Sequence, residues 1–260
     1  MASMIGERTH TFHADASAFG GHIELPFERV IAAQAPLTLS PDGGYGSARA
    51  DNFRFESIFA FKSAYTQVSG IKSRKRPGWT TLATSVIEGL NVAEILTADR
   101  VVAQIITEHP AEMGKYAPMV NFVGTRFDNL RVGSCQIEVD LDLDLCKPQK
   151  QDQHGYPDKH TMEDSGFLQR VKAAGYNSSA GPDKAQIQCS LFEKATIKGK
   201  LPGSLQGNVL TIPGFGKAIL AELIIDANSY SLNMLRMQLG SPTTGFISAS
   251  HVIGNGTSQP

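Results

Sequence analysis

The sequence predicts an all-β protein in which antiparallel sheets pack face to face as a sandwich, with one helix inserted near residues 161–174. Segments rich in Phe, Ile, Val and Thr recur along nearly the whole chain and are separated by Gly or Pro, a pattern typical of strands. Hydrophobic residues make up 41% of the 260 residues and charged residues 19%, which suits a packed core rather than a disordered chain. The polar stretch 147–184 departs from this pattern and holds too few apolar residues for a core of its own. We therefore expect a single β-rich domain over residues 1–260, with 147–184 as an inserted segment.

The strand predictions follow the chain in order. Before the insertion, strands are predicted over 10–22, 23–27, 30–39, 47–61, 64–71, 80–107 and 119–145. The run 80–107 is expected to break near Gly89 and again near Thr97. After the insertion, one hairpin joins 209–212 to 217–225 through a glycine-containing loop, and a second joins 231–239 to 246–253.

The inserted segment contains one helix signal. Thr161 is a plausible N-cap, and Asp164 three residues later resembles a capping box. Apolar residues then recur at helical spacing: Phe167, Leu168, Val171 and Ala174. Gly175 is a natural stop for the helix, because glycine readily adopts the left-handed conformation of a C-terminal cap.

A weak internal repeat leaves a second architecture open. Three short, mostly apolar triplets recur at a spacing of roughly 35 residues, a length typical of stacked supersecondary units. The triplets are Phe53, Phe55, Ile58; Leu90, Val92, Ile95; and Thr125, Phe127, Leu130. A β-solenoid is therefore the alternative to the sandwich, although the two C-terminal hairpins favour antiparallel meanders.

Charge and hydropathy exclude several classes of protein. The formal net charge of −1 argues against a mainly electrostatic nucleic-acid binder, and no apolar run reaches the ~18 residues of a membrane-spanning helix. The four basic residues within 72–76 are expected to form a solvated loop, with contact to phosphates or an acidic surface as the alternative. The first eight residues lack the apolar core of a secretory signal, so either the protein is cytoplasmic or the signal is missing from this chain.

The cysteines do not indicate a disulfide framework or a zinc site. Cys135, Cys146 and Cys189 are an odd number in a long chain, and no CxxC pair occurs. We expect buried thiols that pack as small hydrophobic groups, with one disulfide between two of the three as the alternative.

The clearest candidate for a cofactor site is an acidic run, in which Glu138, Asp140, Asp142 and Asp144 alternate with apolar residues. In a continuous strand these four carboxylates share one face, about 7 Å apart, and two of them with backbone oxygens could hold Ca²⁺. The alternative is a solvated face without cofactor, neutralised by basic residues of a neighbouring strand.

Other motifs do not point to catalysis. Gly214-Phe215-Gly216-Lys217 lacks the spacing of a phosphate-binding loop, and no Gly-x-Ser-x-Gly nucleophile elbow occurs. His251 lies in an alternating strand with Ile253 and is interpreted as an ordinary structural or exposed histidine.

Several short segments, in order along the chain, resemble the bacterial surface domains called choice-of-anchor P. They are Ala16-Ser17-Ala18-Phe19-Gly20, Gly46-Ser47-Ala48-Arg49-Ala50, Leu96-Thr97-Ala98-Asp99-Arg100-Val101, Leu210-Thr211-Ile212-Pro213-Gly214-Phe215-Gly216, Leu232-Asn233-Met234-Leu235-Arg236-Met237 and Ser248-Ala249-Ser250-His251. The resemblance implies an extracellular all-β domain at the cell surface, and it identifies no catalytic residues.

These observations favour a non-enzymatic β domain with a surface, structural or adhesive role and an unidentified ligand. A second hypothesis is a subunit of a filament-like assembly that self-associates by strand addition. A third is an enzyme acting on a polymer or carbohydrate through carboxylates on a sheet face, such as Glu138 and Asp140.

Overall fold

The computed structural model describes residues 10–73, 77–112, 117–175, 186–240 and 243–255. It confirms the all-β sandwich: two antiparallel sheets pack against each other, and the β-solenoid alternative is wrong. Arg74, Lys75 and Arg76 of the predicted basic loop and residues 176–184 of the predicted insertion lie outside the described residues.

The described residues form eighteen strands and one α-helix. In chain order they are β1 (Ala14–Leu25), β2 (Arg29–Gln34), β3 (Leu37–Thr38), β4 (Gly44–Phe55), β5 (Phe59–Lys72), β6 (Gly78–Val92), β7 (Leu96–Pro110), β8 (Met119–Asn121), β9 (Arg126–Asp128), β10 (Leu130–Val132), β11 (Cys135–Leu141), α1 (Ser165–Ala173), β12 (Gln186–Ser190), β13 (Phe192–Lys198), β14 (Ser204–Gln206), β15 (Val209–Ile212), β16 (Gly216–Asp226), β17 (Ser229–Leu239) and β18 (Thr244–Asn255).

Each sheet contains nine strands. Sheet I has the order β14-β15-β16-β17-β18-β1-β2, with β12 also pairing with β16 and β3 with β1. Sheet II has the order β13-β11-β10-β7-β6-β5-β4, with β8 and β9 also pairing with β7. The first and last strands of the chain are neighbours in sheet I, where Ala14 pairs with Gly254.

The core lies between β1, β17 and β18 of sheet I and β5, β6 and β7 of sheet II. Phe19 of β1 is buried against three rings of sheet II, with centroid distances of 5.5, 5.6 and 6.0 Å to Phe53, Phe59 and Phe61. Burial of such large apolar side chains is the main stabilising contribution to a sandwich of this kind.

The two C-terminal hairpins are confirmed, because β15–β16 and β17–β18 pair antiparallel across the predicted loops. The predicted break near Gly89 is wrong. β6 continues through Gly89, whose positive φ of 66° absorbs a local irregularity within the strand. The region 119–145 is not one long strand but four short strands, β8 to β11.

Two of the three repeated triplets mark equivalent hairpin turns. The turn before Phe59 and the turn before Leu96 each close on a backbone hydrogen bond, from Ile58 to Phe55 and from Ile95 to Val92. Ala93 N donates to Ile58 O at 2.6 Å, so the two turns lie side by side at one end of sheet II. The repeat therefore reflects similar hairpins in one sheet rather than solenoid coils.

The predicted helix is present, but its first turn differs from the prediction. Residues 161–163 form a 3₁₀ turn, and the N-cap of α1 is Asp164, whose side chain accepts a hydrogen bond from Phe167 N at 2.8 Å. Gly175 follows the helix with φ +81°, as the stop signal predicted. The chain passes from sheet II to sheet I between β11 and β12, and Phe167 and Val171 of α1 are buried in the core. No helix in the described ranges is long and apolar enough to span a membrane.

Candidate functional site

The acidic run does not form one continuous strand face. β11 ends at Leu141, so Glu138 and Asp140 share an exposed face while Asp142 and Asp144 lie in the turn that follows. The prediction that all four carboxylates line one strand face is wrong for the last two. The strand ends before these two residues for a local reason. Asp142 Oδ1 accepts a hydrogen bond from Asp144 N at 3.1 Å, and this turn bends the backbone out of the sheet.

Lysines supply the positive charge beside this run. Lys194 and Lys198 of the adjacent β13 pair with Asp140 and Glu138, the first at 3.7 Å, and Lys147 pairs with Asp144 at 3.7 Å. Within the described ranges, no group of three or more His, Cys, Asp or Glu side chains is placed to hold a metal ion. The Ca²⁺ site stays a prediction, and the lysine pairs favour its alternative, a solvated ladder of opposite charges.

All three cysteines are free and buried, as the thiol interpretation predicted, and the disulfide alternative is wrong. Burial raises the pKa of the Cys189 thiol to about 12 and raises that of Cys146 well above its usual value. These thiols are therefore protonated at neutral pH and are structural rather than nucleophilic.

The feature with the chemistry of a binding site lies on the outer face of sheet I. In four neighbouring strands there, at least two consecutive residues are buried where regular alternation allows one, and in β16 the buried run covers residues 220–223. The pairs are Ala18 and Phe19 in β1, Leu220 and Ala221 in β16, Met234 and Leu235 in β17, and Ala249 and Ser250 in β18. In β16 and β18 the doubling coincides with positive φ, 50° at Ala221 and 59° at Ser250. Beyond each doublet, the positions that face the core and the positions that face outward are therefore exchanged.

The doublets are aligned across the sheet, because Leu235 pairs with both Leu220 and Ala249, and Ala249 pairs with Phe19. Along each strand, the two outward-facing residues that flank the doublet are consequently three positions apart instead of two, which is ~10 Å rather than ~7 Å. The wider gap leaves a depression that runs across the strands, which we call the cross-strand trough. One wall is the row Ser17, Glu222, Asn233 and His251, and the other is the row Gly20, Ile219, Arg236 and Ser248.

A buried ion pair spans the trough near its β12 end. Glu222 is only 5% exposed, and its two carboxylate oxygens accept hydrogen bonds from Arg236 Nε at 2.6 Å and Nη2 at 2.7 Å. Gln188 Nε2 of β12 also donates to Glu222 Oε1 at 2.5 Å. The hydrogen bonds to Glu222 raise the pKa of the Arg236 guanidinium above its ordinary value. Arg236 therefore stays charged, and the two hydrogen bonds to Glu222 hold its side chain in one orientation.

A second set of hydrogen bonds fixes the middle of the trough. Ser231 Oγ lies 2.8 Å from His251 Nε2, and Asn233 Nδ2 donates to Ser248 Oγ at 2.7 Å. Asn233 Oδ1 is buried and accepts no hydrogen bond from the described residues. Burial lowers the pKa of His251, with a smaller opposing effect from Asp15, so the imidazole is neutral at neutral pH.

The trough comprises two adjoining depressions that share Arg236 and His251. The polar one, toward β12, has a volume of about 370 Å³. The other, toward β2, has a volume of about 440 Å³, and its lining combines small or apolar residues such as Gly20, Ala33 and Phe246 with the polar Ser17 and His22. Phe246 is 46% exposed, so its ring is available as an apolar contact surface.

The chain matches a domain of unknown function, DUF8256, over residues 10–181 and 168–226. It belongs to that family. No curated protein and no solved structure matches the chain. The matched part of this DUF8256 chain contains β1, β12 and β16, which contribute Ser17, Gln188 and Glu222 to the trough.

Sequence reasoning missed the trough. It interpreted His251 as an ordinary histidine and did not single out Glu222 or Arg236, because the two are fourteen residues apart on different strands. The signal that could have found it is the recurrence of adjacent apolar residues, such as Met234 and Leu235, inside otherwise alternating strands.

Proposed function

We propose that this DUF8256 protein is a non-enzymatic binding domain of the cell surface, and that the cross-strand trough binds a hydroxyl-rich ligand of the carbohydrate class. The observation that carries the proposal is the trough itself: a preorganised row of hydrogen-bonding side chains beside an exposed aromatic ring. The surface location follows from the resemblance to choice-of-anchor P domains.

The side chains match the chemistry of a sugar. Each hydroxyl both donates and accepts, and the trough offers amide, hydroxyl and imidazole groups that do the same. Asn233 Oδ1 is buried and accepts no hydrogen bond from the described residues, so a turn of this side chain toward a ligand hydroxyl would give the oxygen a partner. The apolar face of a sugar ring packs on an aromatic side chain, a role that Phe246 can fill.

The same geometry favours binding over hydrolysis. Glycoside hydrolysis uses two carboxyl groups on opposite sides of the scissile bond. Glu222 is the one carboxylate among the residues described as lining the trough, and Arg236 and Gln188 engage both of its oxygens. Glu138 and Asp140, the carboxylates of the enzyme hypothesis, are exposed in sheet II and paired with lysines.

Strand addition is disfavoured at the longest edge. β4 is an edge strand of sheet II that pairs with β5 alone in the sheet order. It presents Arg49, Asp51 and Arg54 to solvent, and Asn52 interrupts its extended backbone with φ +53°. Charged residues and local twists of this kind are how natural sheets block edge-to-edge pairing.

The test is binding of the purified chain to a panel of immobilised neutral and acidic oligosaccharides. We expect retention on one class, and loss of retention in Asn233→Ala and Phe246→Ala. Gln67→Ala and Tyr45→Ala, which change an amide and an exposed aromatic residue of sheet II, are matched controls and should bind normally. Failure of the folded protein to bind any member of the panel, or binding that survives both trough variants, overturns the proposal.

A further inference from the structure

We infer that the depression of the trough toward β2, called the β2 depression below, binds the carboxylate group of an acidic sugar. The ligand of the proposed function is then a uronic-acid oligosaccharide rather than a neutral one. The inference rests on the proposed function and adds the charge of the ligand. Its basis is the set of hydrogen-bond donors in the lining of the β2 depression.

The lining of the β2 depression carries one permanent charge, and that charge is positive. Arg236 is the one Arg or Lys among its described lining residues, which include no Asp or Glu. Glu222, the partner of Arg236, lines the polar depression toward β12 and is 5% exposed. An anion in the β2 depression is therefore attracted by Arg236 and meets no carboxylate of the lining.

Arg236 has hydrogen-bond donors available for such an anion. A guanidinium has five N–H donors, and Nε and Nη2 each use one for Glu222. The other three, two on Nη1 and one on Nη2, have no hydrogen-bond partner among the described residues. One N–H from each of these nitrogens forms the planar fork that binds both oxygens of a carboxylate. The Arg236 side chain is 33% exposed and that of Glu222 is 6% exposed, so the guanidinium is the solvent-facing part of the pair.

Ser248 adds a hydroxyl donor beside this fork. It pairs with Arg236 across β17 and β18, and its Oγ accepts a hydrogen bond from Asn233 Nδ2 at 2.7 Å. The hydroxyl hydrogen of Ser248 has no acceptor among the described residues and is available to donate to an anion. Ser248 lines the β2 depression but not the polar one, so the two donors meet only in the β2 depression.

The rest of the lining suits the sugar ring that carries the carboxylate. The volume of about 440 Å³ lies within the ~300–1,000 Å³ typical of small-molecule sites. Gly20 and Ala33 contribute little side-chain bulk, and the exposed ring of Phe246 offers an apolar contact surface. The charged group and the ring of one acidic sugar unit therefore both find complementary residues here.

Two carboxylates outside the lining act on its histidines. Glu28 lies 3.2 Å from His22 Nε2 and is 80% exposed, so water and salt screen its charge. Asp15 acts on His251 and accepts a hydrogen bond from Thr38 Oγ1 at 2.6 Å. Neither is a lining residue, so the guanidinium remains the charged group that an anion in the β2 depression contacts directly.

The experiment compares sugars that differ in charge alone. Calorimetric titration uses galacturonate and glucuronate oligosaccharides, each beside its methyl ester, in which the carboxylate is neutralised. We expect one acid to bind at least tenfold more tightly than its ester, a ratio equivalent to ~1.4 kcal/mol. An oligoglutamate of equal charge is the peptide probe and should bind no better than the esters.

Two variants locate the carboxylate. Arg236→Met combined with Glu222→Gln removes both charges of the buried pair without leaving an unpaired carboxylate, and should bring the acid-to-ester affinity ratio close to one. Ser248→Ala removes one donor and should lower this ratio by roughly threefold or more. Lys217→Met, which removes an exposed lysine of β16, is the control and should leave the ratio unchanged. Thermal melting verifies that each variant is folded.

The outcomes separate the two proposals. Equal affinity for acids and esters, a ratio unchanged in the double variant, or a ratio that falls as far in Lys217→Met overturns the acidic-sugar inference but leaves the proposed carbohydrate site intact. Tighter binding of oligoglutamate than of any sugar overturns both proposals. Absence of binding to every sugar, acidic and neutral, does the same.

Discussion

Replacement of Arg236 by Met tests whether the trough is held by a buried ion pair. Methionine retains much of the aliphatic length of arginine but removes both hydrogen bonds to Glu222. Glu222 would remain buried with Gln188 as its one donor among the partners seen here. A buried carboxylate that loses its charged partner is strongly destabilising, because its desolvation is no longer offset.

The magnitude follows from the burial of the two side chains. Removing one partner of a buried pair costs about 3–5 kcal/mol. The Glu222 side chain is 6% exposed but that of Arg236 is 33% exposed, so water can enter the space that Arg236 leaves. We therefore expect a smaller loss of about 2–3 kcal/mol in unfolding free energy, or roughly 4–12 °C in Tm for a domain of this size.

Urea unfolding followed by circular dichroism measures the loss, and a double variant identifies its cause. Adding Glu222→Gln to Arg236→Met removes the unpaired charge and should restore more than half of the stability. Arg49→Met is the matched control, because Arg49 and Asp51 form a similar pair at 2.9 Å on the exposed face of sheet II. Its stability should not change measurably. Equal losses in Arg236→Met and Arg49→Met would refute the distinction between a buried and a solvated pair.

Three further measurements test other parts of the structure. The native protein should not react with a thiol reagent at pH 8, because Cys146 and Cys189 are buried and protonated, whereas denaturant should expose all three thiols. Burial lowers the pKa of His251 below 6.5, so the unfolded chain binds more protons under mild acid. Stability should therefore fall as the pH drops below about 6.5 toward the folded pKa, and His251→Asn should flatten this dependence; an unchanged slope would contradict it. Millimolar Ca²⁺ should leave Tm unchanged, because Lys194 already pairs with Asp140, and a rise reversed by chelator would establish the ion site instead.

Local signals predicted the fold more completely than the site. The turn at residues 213–215 and the stop at Gly175 are recognisable because glycine meets a conformational need within a few residues. The partner of the acidic run was not predictable in this way. Lys194 neutralises Asp140 only because β13 pairs with β11, although about fifty residues of chain separate the two positions. Strand neighbours of this kind depend on tertiary packing, which alternation alone does not encode.

The buried doublets of sheet I belong both to the core of the protein and to the floor of its candidate site. The doublets that widen the gap between outward rows are fully buried, and Ser250 also joins the two sheets. Its Oγ donates to Ser85 O of sheet II at 2.8 Å and accepts from Ala103 N at 3.0 Å. The floor of the trough is therefore part of the packed interior and not a mobile loop. A groove of this kind needs little ordering when a ligand binds, so most of the energy of each new contact is available for affinity. The candidate site lies in mid-sheet because the departure from strict alternation that shapes it is stabilised by the same core that stabilises the fold.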